Sequence, residues 1–252
     1  ELDPHGNDGA PGDKDETRAL TEPLVEELAE LQNRLWAEHR RSVLLVLQAM
    51  DAGGKDGTIR KVFTGVNPQG VRVASFKAPT AEELAHDFLW RIHRETPGRG
   101  EIGVFNRSHY EDVLIVRVDE LVPEDVWRPR YRAIRDFEQQ LTEAGTTVVK
   151  VFLHISKDEQ KARFEERLTQ PEKRWKFSTA DLDVRKKWDE YQVAYADALG
   201  ETSTKDCPWY VVPADRKWYR DWAVLQILLG TLRELDPQYP PEEAGLDAIV
   251  VE

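Results

Sequence analysis

The apolar run Val43-Leu44-Leu45-Val46-Leu47 leads within a few positions into Asp51-Ala52-Gly53-Gly54-Lys55-Asp56-Gly57. No polar side chain interrupts the run. A strand built from it must therefore be buried on both faces, as in a parallel sheet. A glycine-containing turn and a helix from about Lys55 to Phe63 complete a strand–turn–helix unit. Gly53 and Gly54 let the backbone turn tightly, so that amide N–H groups can face an anion, and the helix start adds a favourable dipole. Lys55 adds a positive charge suited to a transferring phosphoryl group.

The same alternation runs through the chain. Further strands are predicted over 71–76, 102–105, 147–155 and 209–212. Helices are predicted over 23–40, 80–94, 127–141, 157–168, 182–199 and 218–235. Alternating strands and helices imply an α/β fold, a parallel sheet flanked by helices on both faces. Residues 1–22, rich in Gly, Pro and Asp as far as Thr17, are predicted to be a flexible tail. Residues 23–236 form the domain, and 237–252 a Pro- and Glu-rich tail. In parallel sheets ligands bind beyond the carboxyl ends of the strands. The segments after Leu47, Phe76, Phe105 and Ile155 are thus the places to look for chemistry.

Composition narrows the partners. The net charge is −12 over 252 residues, a poor basis for coating nucleic acid or binding a membrane surface. The single cysteine, Cys207, excludes an intrachain disulfide framework. No apolar run approaches the roughly 18 residues of a membrane span. The polar start Glu1-Leu2-Asp3-Pro4 carries no signal-peptide pattern and no initiator Met, so a trimmed start and a cytoplasmic location are the expectations. A polyanionic substrate would require basic residues gathered locally against the global charge.

In the loop, Ala52, Gly53, Gly54, Asp56, Gly57 and Thr58 are the predicted phosphate-binding positions. Ala49 stands where the usual phosphate-loop pattern has its first Gly, and Asp56 where a Ser or Thr would hold magnesium. Asp51 is the unusual member. A carboxylate there repels phosphate unless a metal or an acceptor's proton lies between them. It is read as organising metal or acceptor, the plain alternative being a solvated turn residue.

After the third strand comes Asn106-Arg107-Ser108-His109-Tyr110-Glu111-Asp112. Arg107 suits a bidentate phosphate clamp. Asp112 is the candidate metal-binding acid, although it lies several residues past the strand. Glu111 reads as a possible helix-surface acid and His109 as a hydrogen-bonded turn residue. Lys77, after the second strand, either binds phosphate or pairs with an acid. Between Lys157 and Lys187 lies the local basic cluster. Arg163 and Arg167 share a helix face there, and most of its lysines balance neighbouring acids. Arg167 and Arg174 are the phosphate candidates, beside a connection suited to movement.

Taken in order, five segments resemble the polyphosphate kinase 2 family. They are Gln48 to Gly57, Gly65-Val66-Asn67-Pro68-Gln69-Gly70, Ser75-Phe76-Lys77-Ala78-Pro79, Asn106 to Asp112, and Arg174-Trp175-Lys176-Phe177-Ser178. The resemblance spans about Leu24 to Leu235 and covers the departures at Ala49 and Asp56. It implies a P-loop kinase fold of the thymidylate-kinase kind with a helical lid at about 157–200. It implies reversible transfer of the terminal phosphoryl group of inorganic polyphosphate to nucleoside mono- and diphosphates. The Gly-Val-Asn-Pro-Gln-Gly turn is most similar to the subgroup accepting AMP and ADP. Adenine nucleotides are the expected acceptors, with guanine nucleotides as further candidates.

Carried over by position, Asp51 and Asp112 organise Mg2+ (or Mn2+) and acceptor. Lys55 and Arg107 hold phosphates near the reaction with help from Lys77, and Arg167 and Arg174 belong to the lid. The resemblance further implies a homo-oligomer, with a tetramer as a candidate. Two rival readings share many of these features: an ATP-dependent nucleoside monophosphate kinase, and a silent nucleotide- or polyphosphate-binding regulator.

Overall fold

The computed structural model describes residues 2–246, 249 and 251. The strands are β1 (Ser42–Ala49), β2 (Val71–Ser75), β3 (Ile102–Asn106), β4 (Thr146–His154) and β5 (Trp209–Pro213). They form one sheet in the order β2-β3-β1-β4-β5, and every adjacent pair is parallel. All eight residues of β1 are buried. Successive side chains of a strand point to opposite faces, so both faces at the centre are covered. The expected α/β architecture is thus present.

Two groups of helices supply the cover. α1 (Lys14–Glu38), α2 (Lys55–Val62) and α11 (Lys217–Leu235) pack together. Leu28, Leu31 and Leu35 of α1 are buried, as are Leu225, Leu228 and Leu232 of α11. In the second group, α7 (Arg130–Glu143) lies on β4, and α10 (Trp188–Thr202) lies on α7. α8 (Lys157–Thr169), a 3-10 turn (Pro171–Lys176) and α9 (Ala180–Lys186) form the connection from β4 toward α10.

Several boundaries differ from the expectations. The first helix starts at Lys14 rather than Pro23, so residues 14–22 are helical. Asp13 caps it, accepting from the amides of Asp15 and Glu16, while the Glu16 side chain accepts from the Asp13 amide. That reciprocal cap begins the helix nine residues early and carries it through Pro23. The helix expected over 80–94 is two short pieces, α3 (Ala81–Leu84) and α4 (Trp90–His93). Between them the Asp87 side chain accepts from the Leu89 amide, offering the backbone a local alternative to the helix.

The helix expected over 127–141 is split at Pro129, between α6 (Glu124–Trp127) and α7. α5 (Ile115–Val118) precedes them, and the stretch expected over 182–199 divides at Lys187 into α9 and α10.

Candidate active site

All five strands point their carboxyl ends at one cavity of about 1150 Å³. From β1 come the loop residues Asp51 to Gly57, from β2 Lys77, and from β3 Asn106 and Arg107. The connection after β4 supplies Arg163, Arg167, Lys173, Lys176 and Asp181, and the segment after β5 supplies Lys217 and Arg220. β1 pairs with β3 on one side and β4 on the other. The cavity therefore sits where the strand order reverses, the usual crevice of such sheets.

The loop's backbone is held in unusual conformations. Ala52 (φ 61°) and Arg107 (φ 62°) are left-handed although neither is glycine. Such residues store strain and persist only where their surroundings enforce them. Gly54 is left-handed too (φ 104°) and is the residue before α2. The φ strains any other residue there, and an added side chain would also have to displace the Arg220 guanidinium.

Arg163 supplies much of the enforcement. Its Nη1 donates to the carbonyls of Ala52 (2.8 Å) and Gly53 (3.0 Å), and its Nη2 to that of Ala214 (2.6 Å). Its Nε donates to Glu159 at 2.7 Å. This buried arginine is a strut beneath the loop. Gln160 adds a bond from Nε2 to the Asp51 carbonyl at 2.9 Å.

Lys55 Nζ donates to the Ala49 carbonyl at 2.9 Å, inside the curl of the loop. Burial, with Arg107 nearby, lowers its pKa from the ordinary lysine range, while Asp51, Glu111 and Asp56 oppose the shift. Arg107 Nη2 donates to Asp51 Oδ1 at 2.7 Å. Burial works against the Arg107 charge, but the carboxylates of Glu111 and Asp51 outweigh it and raise its pKa. Burial raises the Glu111 pKa, while Arg107 and Lys55 pull it down. Asp51, Lys55, Arg107 and Glu111 thus form one electrostatic cluster.

Asp112 is not brought to the cavity. Its carboxylate lies 3.1 Å from Arg130 and 3.9 Å from Arg91. Burial raises its pKa to about 6, against the pull of those two arginines. Its neighbour Glu111, for which the sequence also allows a helix-surface place, is the acid that joins Asp51 beside Lys55 and Arg107.

Thr58 is fully buried and donates to Asp221 at 3.1 Å, outside the cavity lining. Asp56 lines the cavity and accepts from Asn106 at 2.7 Å. Lys77 and Arg167 line it as expected. Arg174 does not: its Nε donates to the Leu168 carbonyl at 2.9 Å, and the flanking Lys173 and Lys176 face the cavity instead.

Lys217 and Arg220 escaped the sequence reading. The signal was available, because they follow the fifth strand just as the other candidates follow theirs. Among the described residues, no group of three or more His, Cys, Asp or Glu is arranged to hold a metal.

A buried network fixes the turn after Arg107. Lys150 Nζ donates to Glu138 (2.6 Å), to the Thr202 carbonyl (2.8 Å) and to Tyr110 Oη (3.1 Å). Tyr110 Oη donates to Glu138 Oε1 at 2.7 Å, and His109 Nε2 lies 3.3 Å from the same oxygen. Against burial, His109 and Lys150 keep Glu138 below the usual carboxylate range. His109 is therefore a buried anchor of the turn, as expected.

The family described as Polyphosphate kinase 2 matches residues 12–240. The chain is 56% identical over 251 residues to the AMP/ADP-polyphosphate phosphotransferase of Meiothermus ruber, covering all of this chain and 94% of that protein. It is 52% identical over 239 residues to the ADP-polyphosphate phosphotransferase of Rhodopseudomonas palustris, covering 90% of this chain and 83% of that one. The crystal structure of polyphosphate kinase 2 from Arthrobacter aurescens TC1 superposes with a TM-score of 0.96 at 48% identity, covering 98% of this chain and 89% of that one. With this match over nearly its whole length, and a glycine-containing loop at the switch point of a parallel sheet, the chain belongs to the polyphosphate kinase 2 family.

Proposed function

We propose that this protein transfers the terminal phosphoryl group of inorganic polyphosphate to AMP and ADP, and runs the reaction in reverse. The observation that carries the reading is the concentration of cations around the loop. In a chain of net charge −12, Lys55, Lys77, Arg107, Arg167, Lys173 and Lys217 converge on one cavity. A polyphosphate donor has no base or ribose to grip, so its binding is almost wholly electrostatic and salt-sensitive, as for other polyanions. The names of the relatives point to the same donor and acceptors.

Phosphoryl transfer needs little covalent help, so positioning and charge neutralisation do most of the work. Lys55 and Arg107 hold phosphate oxygens where charge develops. Asp51 faces the same space and orients the acceptor. Magnesium, with manganese as a substitute, belongs to the proposal: when bound it would neutralise charge on the phosphate oxygens. The donor set fits an ion held through one carboxylate and substrate phosphates, with Asp51 supplying the carboxylate. Guanine nucleotides as acceptors and assembly into a homo-oligomer also belong to this reading.

The decisive assay supplies polyphosphate, magnesium and ADP, with no ATP added, and detects ATP by luminescence. ATP formation is expected, and its rate should fall as salt screens the cavity. No ATP here, alongside brisk ADP formation from ATP and AMP, would identify an ordinary nucleotide kinase. Binding without turnover in either assay would identify a regulator.

A further inference from the structure

The segment from Asp3 to Asp8, predicted to be part of a flexible tail, is attached along its length to the connection after β5. The Asp215 amide donates to the Pro4 carbonyl at 3.2 Å. His5 Nδ1 meets Asp215 Oδ2. Arg216 Nη1 donates to Asn7 Oδ1 at 2.9 Å, and Tyr219 Oη donates to the Asp8 carbonyl at 2.8 Å. Within the segment, the Gly6 amide donates to the Asp3 carbonyl (3.0 Å) and the Ala10 amide to that of Asn7 (3.1 Å). Two successive turns thus shape it to the surface it covers.

That surface adjoins the site. β5 is an edge strand, so the chain leaving it has no sheet neighbour on one side. The outgoing residues nevertheless hold the loop. The Ala214 carbonyl, and the Asp215 carbonyl at 3.2 Å, accept from Arg163 Nη2. The other arm of Arg163 holds the carbonyls of Ala52 and Gly53. Asp215 Oδ1 accepts from the Ser156 amide at 2.8 Å, fixing the start of α8. The same connection runs into Lys217 and Arg220 on the cavity wall.

We propose that residues 3–8 are a positioning strap, which holds the 214–220 connection and, through Asp215 and Arg163, the geometry of the phosphate loop. No residue of the strap lines the cavity. Its role is to keep Arg163 supplied with acceptors, so that the strained conformation at Ala52 persists and Lys217 stays on the wall. Substrate-binding geometry is sensitive to displacements of an ångström or less, which a loosened connection would allow. The consequence for turnover rests on the polyphosphate reading above; the mechanical role does not.

The test uses the full chain with His5→Ala/Asn7→Ala, and Asn7→Ala alone as the milder variant. His5 is exposed and Asn7 half-buried at the surface. The melting temperature should therefore stay within about 3 °C, as for most surface changes. The KM for polyphosphate should rise about tenfold in the double variant, because the phosphate-holding groups are mispositioned. Amide exchange should quicken at 214–220 and at 52–54, with β1 unchanged. An unchanged KM together with unchanged exchange overturns the strap. So does a general loss of melting temperature with faster exchange throughout the sheet, which would mark the segment as ordinary packing. If the wild type shows no polyphosphate-dependent turnover, the functional reading fails, while the exchange arm still decides the strap.

Discussion

Arg107 Nη2 stands 2.7 Å from Asp51 Oδ1 across 56 positions of sequence. Two neighbouring strands make the meeting possible: Leu47 of β1 lies in register with Asn106 of β3, the last pair of their ladder, so the two chains part from each other at that level. The pair reconciles an acid with a phosphate loop. Asp51 is balanced by a cation that phosphate would also seek. A phosphate drawing on Arg107 would leave the carboxylate available for a metal ion or the acceptor. Both side chains are partly exposed, so exchange of partners costs little.

Replacing Lys55 separates chemistry from stability. Its bond to the Ala49 carbonyl is one neutral acceptor, whereas in the proposed reaction its charge would face the transferring group. Lys55→Ala should lower kcat by roughly 10²–10³, the scale for removing a donor that stabilises developing charge. Near-normal turnover in a folded variant would refute the assigned role.

Metal dependence is the next expectation. Excess chelator should abolish turnover, and added magnesium or manganese should restore it. Asp51→Asn should lower kcat by about 10² at saturating magnesium, again as lost transition-state stabilisation. A larger loss in Asp112→Asn than in Asp51→Asn, at unchanged stability, would return the metal-organising role to Asp112.

Asp112 should leave a signature in stability against pH. Its pKa rises from 3.8 to about 6 on folding, chiefly through burial. The folded state therefore binds the proton more tightly, and its contribution is fully present below pH 3.8 and lost as pH rises through 6. The unfolding free energy of the wild type minus that of Asp112→Asn should fall by roughly 2–3 kcal/mol between pH 4 and 7. Chemical denaturation at four or five pH values measures this. A flat difference would show that Arg91 and Arg130 fully compensate the burial.

The Lys150–Glu138 pair is fully buried. Lys150→Met should destabilise the fold by about 3–5 kcal/mol, because it leaves Glu138 charged without its main partner. Lys150→Met/Glu138→Leu should cost less than the single change, since both charges then disappear. A double variant less stable than the single one would mean that His109 and Tyr110 depend on Glu138 more than Lys150 does.

Local sequence alone determined the α/β fold class, the glycine-containing loop after β1 and two of its cationic neighbours. Each is a short-range pattern: an apolar run dictates a doubly buried strand, two glycines dictate a tight turn, and Lys77 and Arg107 follow strand ends directly. The strand order, and with it the company each residue keeps, was decided by tertiary structure. Glu111 and Asp112 are adjacent in sequence, yet the 3-10 turn from His109 to Val113 sends one toward Lys55 and the other toward Arg91 and Arg130. No periodicity distinguishes them, because the buried anchors Tyr110 and His109 set the rotation of that turn through Glu138 on a distant helix. Arg163 and Arg174 look alike as members of one basic cluster. Only the approach of Ala52, Gly53 and Ala214 makes the first a strut, while the Leu168 carbonyl turns the second away from the cavity. The early Gly and Asp residues look like a tail because they carry too little apolar surface to fold alone. What holds them is a set of hydrogen bonds offered by the chain leaving an edge strand more than two hundred residues later.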